Sequence, residues 1–140
     1  MSATIKGRLT SLEELGELSE AGQIEAVSQG LPVELARELG AKLEIPQETL
    51  AALLHLTPRT LQRRFETDNL GLVESERICE LSRVFSRASE VLESDAAAVQ
   101  WLKSPVQALG WKKPLDLAHT LIGLRQVEAI LGRIEHGVFS

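Results

Sequence analysis

Apolar residues in this chain recur at intervals of three and four, and no stretch alternates with the period of two that a half-buried strand requires. The longest such stripe, Ile78, Leu81, Phe85, Ala88 and Leu92, predicts a helix from Glu74 to Glu93. A second, Leu124, Val127, Leu131 and Ile134, predicts another that ends near Glu135. Five prolines, at 32, 46, 58, 105 and 114, each fall where a helix can start, because the first residues of a helix have no intrahelical partner for their N–H. Leu, Ala and Glu abound and Tyr is absent, which agrees with an all-α chain. Its 140 residues suffice for one domain or two small ones with a sizeable core.

The segment from Ile45 to Phe65 reads as two short helices joined by a tight turn. Pro46 opens the first, and Thr57 with Pro58 caps and opens the second, the Thr hydroxyl accepting from a free N–H two or three residues on. Leu61 and Phe65, four apart, share the inward face above Leu56. Arg59, Thr60, Gln62, Arg63 and Arg64 are left for the outside. That is the pattern of a helix-turn-helix whose second helix enters a DNA major groove, where arginine reads guanine edges and phosphates. A solvated helical hairpin is the plainer reading of the same residues.

Charge partition favours DNA. Residues 1–54 hold four Lys/Arg against nine Asp/Glu, residues 55–66 three against one, and residues 67–140 eight against ten. The second helix is thus a positive patch on a chain of net charge −5. Such a body repels phosphate, so useful affinity for operator DNA calls for a homodimer or a larger assembly.

Around this pair the expected organisation is an N-terminal segment over 1–29, partly flexible, a helix-turn-helix domain over 30–71 and a helical domain over 72–140. Within the first segment Leu12, Leu15 and Leu18 form only a weak amphipathic patch, and a helix from about Ala21 to Gln29 ends at Gly30. A helix from Pro32 to about Glu44 buries Leu35, Leu39 and Leu43. Further on, Asp95 is the expected cap of a helix through Leu102, Ser104 with Pro105 starts a short one, and Gly110 breaks the chain.

Catalytic chemistry finds little support. Cys79 is single, which excludes an internal disulfide and a cysteine-based zinc site, and its place on a helical pattern reads as a packed thiol. His55, His119 and His136 are scattered without metal-ligand spacing. No glycine-rich phosphate loop or nucleophile elbow is present. The expectation is a binding protein with no catalytic residue, no metal and no cofactor. No apolar leader and no spanning segment is legible, so a cytoplasmic location with no membrane partner is expected. Trp101 reads as core. Trp111, between Gly110 and two lysines, reads equally as core or as a partner surface, where Trp is enriched.

A set of landmarks then carries a resemblance. Thr60-Leu-Gln-Arg-Arg64 is followed by Glu74-Ser-Glu-Arg77, Ala98-x-x-Trp101-Leu102 and Ser104-Pro105. Ala108-Leu-Gly110, Pro114-Leu-Asp-Leu117, Gly123 with Val127, and Leu131-Gly-Arg-Ile-Glu-His-Gly-Val138 complete it. Over roughly residues 30–140 this order resembles the Xre/MbcA/ParS-type antitoxins, partners of RES-domain toxins, and the C-terminal landmarks are the more diagnostic ones. The resemblance implies an antitoxin whose helix-turn-helix represses its own operon and whose C-terminal domain binds the toxin. RES toxins degrade NAD⁺ or transfer its ADP-ribose, and the antitoxin is expected to obstruct that active site. Taken with the resemblance, the end of the chain, Arg133, Glu135, His136, Gly137, Val138 and Phe139, is the expected toxin-contacting set, and Trp111, from its own position in the sequence, is counted with it. One departure stands out: where many helix-turn-helix proteins place Gly after the first helix, this chain has His55, a residue that tolerates positive φ better than most. The alternative is a stand-alone helix-turn-helix regulator whose C-terminal domain dimerises or senses a ligand.

Overall fold

The computed structural model describes residues 9–137, and the regular structure of those residues is entirely helical. In order they form α1 (Leu12–Glu17), α2 (Glu20–Gln29), α3 (Val33–Leu43), α4 (Gln47–Leu53), α5 (Pro58–Arg64), α6 (Leu72–Leu92), α7 (Asp95–Leu102), α8 (Pro114–Leu117) and α9 (Leu121–Glu135). Two compact units divide the chain between Ser82 and Arg83, inside α6.

In the first unit, side-chain caps set the helix starts. Ser11 accepts from Glu14 N–H, Ser19 from Gly22 N–H and Thr57 from Thr60 N–H, each satisfying a donor that the first turn leaves orphaned. Such a cap stabilises by about 1 kcal/mol. Pro46 stands one residue outside α4, as its N-cap, where the extended ψ of 162° suits it. Within the first 29 residues, where partial flexibility is expected from sequence, the described part carries α1 and α2. Leu12 and Leu15 are buried, and the Leu12 N–H donates to the Glu38 carboxylate at 2.8 Å, so α1 docks on α3. Leu31, Leu35, Leu39, Leu54 and Leu61 are fully buried, each worth roughly 1.5–3 kcal/mol of transfer free energy.

A short clasp closes this unit. Val33 N–H donates to Asp68 O at 3.1 Å, Leu70 N–H to Leu31 O at 2.8 Å, and Leu31 N–H to the buried Ser75 hydroxyl at 2.9 Å. Gly30 is required beside it. Its φ is 91°, and a Cβ there would lie 2.4 Å from Leu70 O.

In the second unit, Leu124, Val127 and Leu131 of α9 are buried as their spacing predicts, while Ile134 is only half-buried. The latter half of α6 is joined to α9 by two ion pairs, Arg83 with Glu128 and Arg87 with Glu135. Two local expectations change. Ser94, not Asp95, caps α7, because its hydroxyl reaches Ala97 N–H at 3.0 Å while Asp95 instead accepts from Ser89 at 2.7 Å. After Pro105 only a single 3₁₀ turn forms, over Gln107–Leu109, since Val106 N–H turns back to Lys112 O at 3.0 Å and ends it.

Candidate functional site

The pair α4–α5 is built from its inner residues outward. α4 stops at Leu53, and His55 then takes a φ of 63°, the left-handed step at which the chain reverses. Buried Arg77 donates its Nε–H to Leu53 O at 2.8 Å, a charged donor on the last carbonyl of α4, where the helix dipole favours it. Leu61 anchors α5 from beneath. Phe65 is only half-buried, and the Arg37 guanidinium carbon lies 4.0 Å above its ring centroid, so a cation–π contact covers the face that the core does not.

The five outward residues of this segment separate into three groups. Arg59 and Arg63 are exposed and carry no ion pair among the described residues. Gln62, also exposed, accepts from Gln47 Nε2 at 3.0 Å, and Thr60 is tied to Thr57 by a 3.0 Å hydroxyl contact. Arg64 differs: its Nε donates to Glu74 Oε2 at 2.5 Å. The Glu74 side chain is 4% exposed and the Arg64 side chain 37%. Burial pushes the Glu74 carboxyl up, but the hydrogen bonds from Arg64 and Gly71 N–H outweigh it and hold the group below the ordinary value of 4.5.

At about 100° per residue, Arg59, Gln62 and Arg63 fall within about 100° of one another on α5, whereas Arg64 lies about 140° from Arg59, flanking the buried Leu61. The outward face is therefore a polar plane with two cations and an amide held by its neighbour. Its geometry can donate to phosphates and base edges.

In the second unit Trp111 is 65% exposed, with φ at 65°, a conformation rare for a bulky residue. It is held there by its own N–H donating to Val106 O at 2.9 Å. Arg133, His136 and Gly137 are exposed. Glu135 is engaged: Arg87 binds its carboxylate at 2.5 Å and is the chief cause of its lowered pKa. Val138 and Phe139 lie outside the described residues. Sequence reasoning overlooked two exposed residues at the start of α9, Leu121 at 45% and Ile122 at 71% exposure. Ile122 stands out of phase with the 124–127–131 stripe, which was the available signal.

Among the described residues no group of His, Cys, Asp and Glu is arranged to hold a metal ion. Nor, among the described residues, is any helix long and apolar enough to cross a membrane.

A helix-turn-helix unit followed by a second helical unit with an exposed tryptophan defines the class. Comparison with known proteins makes it specific. Residues 22–83 match the model of the antitoxin Xre-like helix-turn-helix domain, and residues 87–137 that of the antitoxin Xre/MbcA/ParS C-terminal toxin-binding domain. The chain is 30% identical over 119 residues to Antitoxin Xre of Yersinia enterocolitica, covering 84% of this chain and 80% of that one. It is 24% identical over 132 residues to the Prs ADP-ribosylating antitoxin of a Sphingobium species, covering 87% and 83%. In fold it is similar to a chain of the crystal structure of the M. tuberculosis MbcT–MbcA toxin–antitoxin complex, with a TM-score of 0.57 and 24% identity over 75% of this chain and 94% of that one. The chain belongs to the Xre family of antitoxins.

Proposed function

We propose that this antitoxin binds and neutralises a RES-domain toxin that consumes NAD⁺, covering the toxin's active site with the end of its second unit. The observation that carries this reading is the coincidence of the matched toxin-binding domain, residues 87–137, with the unit that exposes Trp111, Arg133, His136 and Gly137. The name of the Sphingobium relative, which couples an antitoxin to ADP-ribosylation, supports NAD⁺ as the substrate to be shielded. Val138 and Phe139 follow Gly137 in the sequence and belong to the same expected toxin-contacting set.

The first unit represses the antitoxin's own operon. Arg59, Gln62 and Arg63 on α5 face the major groove, Thr60 packs beside the cap, and a homodimer within a larger toxin–antitoxin assembly supplies the second reading helix. Support comes from the match to the Xre-like helix-turn-helix domain and from the positive patch on a chain of charge −5. The chain is not an enzyme on this reading.

The test is co-expression with the toxin encoded beside it. Full-length chain should suppress NAD⁺ loss, and deletion of residues 137–140, which leaves α9 and the Arg87–Glu135 pair intact, should restore it. Full suppression by the truncated chain overturns the toxin-facing assignment. For DNA, Arg59→Ala with Arg63→Ala should weaken binding to the duplex upstream of this reading frame while leaving toxin binding unchanged. Binding at full strength would remove α5 as the reading helix.

A further inference from the structure

The three arginines of α5 do not share one role. We propose that Arg64 is a positioning residue, which sets the DNA-reading face of α5 by binding Glu74, and that of these three arginines only Arg59 and Arg63 touch DNA. The inference rests on the operator-binding reading above and divides its residues.

Four observations carry it. The Arg64 Nε lies 2.5 Å from Glu74 Oε2, so the guanidinium is aimed at the start of α6. Glu74 is 3% exposed, and the same Oε2 also accepts from Gly71 N–H at 2.8 Å, so that oxygen is held by two donors at once. Gly71 has little spare room there: a Cβ on it would lie 3.0 Å from the same oxygen. Finally, Arg64 is the last residue of a seven-residue helix whose next residue, Phe65, is covered by Arg37 at 4.0 Å.

A two-turn helix has too few hydrogen bonds to hold its own orientation. Its N-terminal end is held by the Thr57 cap, and its C-terminal end by Arg64 on one flank and Phe65 on the other. A buried carboxylate left without its cation is strongly unfavourable, so Glu74 keeps Arg64 in place rather than releasing it to a phosphate. Among the described residues, Arg59 and Arg63 have no such tether.

The two roles give opposite signs for one substitution. Glu74→Gln removes a negative charge near DNA and frees Arg64. If Arg64 were a DNA contact, affinity for the upstream duplex would rise and the salt dependence would steepen. As a positioning pair, the same change should lower affinity about tenfold, the scale of one charge-assisted hydrogen bond, at an unchanged salt slope. Arg64→Met should do likewise, whereas Arg63→Ala should reduce the slope by about 0.9 per protomer. Unchanged or increased affinity in Glu74→Gln overturns the assignment. Should that variant fail to fold by circular dichroism, Arg64→Met decides alone: affinity lost at constant slope supports positioning, and a slope reduced by about 0.9 overturns it. Wild-type chain with no salt-dependent binding to the duplex would overturn the operator reading itself, a result that none of the variants produces.

Discussion

Gly123 of α9 is pressed against the carbonyl of Leu117 at the end of α8, so closely that a Cβ on it would lie 1.8 Å from that oxygen. The obstacle is backbone, which cannot swing aside as a side chain would. Gly123→Ala must separate α8 from α9 and is expected to destabilise the second unit by about 3 kcal/mol, the range of overpacked cores. Gly132, on the same helix, has nothing within 4 Å of its absent Cβ. There alanine should stabilise by about 0.5–1 kcal/mol through helix propensity alone. Urea unfolding followed by circular dichroism compares the two. Equal effects at both positions would show that the α8–α9 contact is not a constraint.

Trp111 joins two properties that rarely occur together, 65% exposure and a φ of 65°. The left-handed backbone costs a residue with a Cβ about 1 kcal/mol, and packing recovers little of it at such exposure. Trp111→Gly should therefore raise the melting temperature slightly while lowering toxin affinity by a factor of about 30 or more, as expected for a contact centred on a tryptophan. Calorimetric titration against the purified toxin, alongside a thermal melt, reads both. Loss of stability with retained affinity would make Trp111 a structural residue.

Glu74 gives the first unit an acid sensitivity. Its folded pKa lies below the ordinary value of 4.5, because hydrogen bonds from Arg64 and Gly71 N–H outweigh burial. A group with a depressed folded pKa contributes its full stability above the unfolded value and loses it as pH falls through the folded one. The urea midpoint of this unit should thus be flat near neutrality and fall below pH 4.5, and Glu74→Gln should flatten that fall. An identical acid limb in the variant would place the titrating group elsewhere.

Much of the fold was legible because short-range chemistry wrote it. Thr57 caps α5 and Pro58 opens it as the hydroxyl and the locked ring require. His55 occupies the left-handed slot that its place after α4 implied. The Leu124–Val127–Leu131 stripe is buried because nothing competes with its period. Other features depend on partners distant in sequence. α1 has six residues, too few for a periodic signal, and it is secured by Glu38, 26 positions from Leu12. Ser94 and Asp95 are both good caps, and Ser89 decided between them by taking the carboxylate. Arg64 looked equivalent to Arg63 because composition has no angle. The helical rotation of about 100° per residue, applied from Leu61 outward, separates them.

The clasp at Leu31 also limits how small a working DNA-reading fragment can be. Leu31 accepts from Leu70 N–H and donates to the Ser75 hydroxyl, which ties together residues about forty positions apart, and α4 with α5 lies in the chain between. Bringing the ends of a loop of that size together costs about 3 kcal/mol in entropy before any contact within it is counted. An excised peptide carrying only α4 and α5 would keep the arginines yet lack the closure that orders them. The autonomous module therefore begins no later than Gly30 and ends no earlier than Arg77, and the sequence motif is an inseparable part of it.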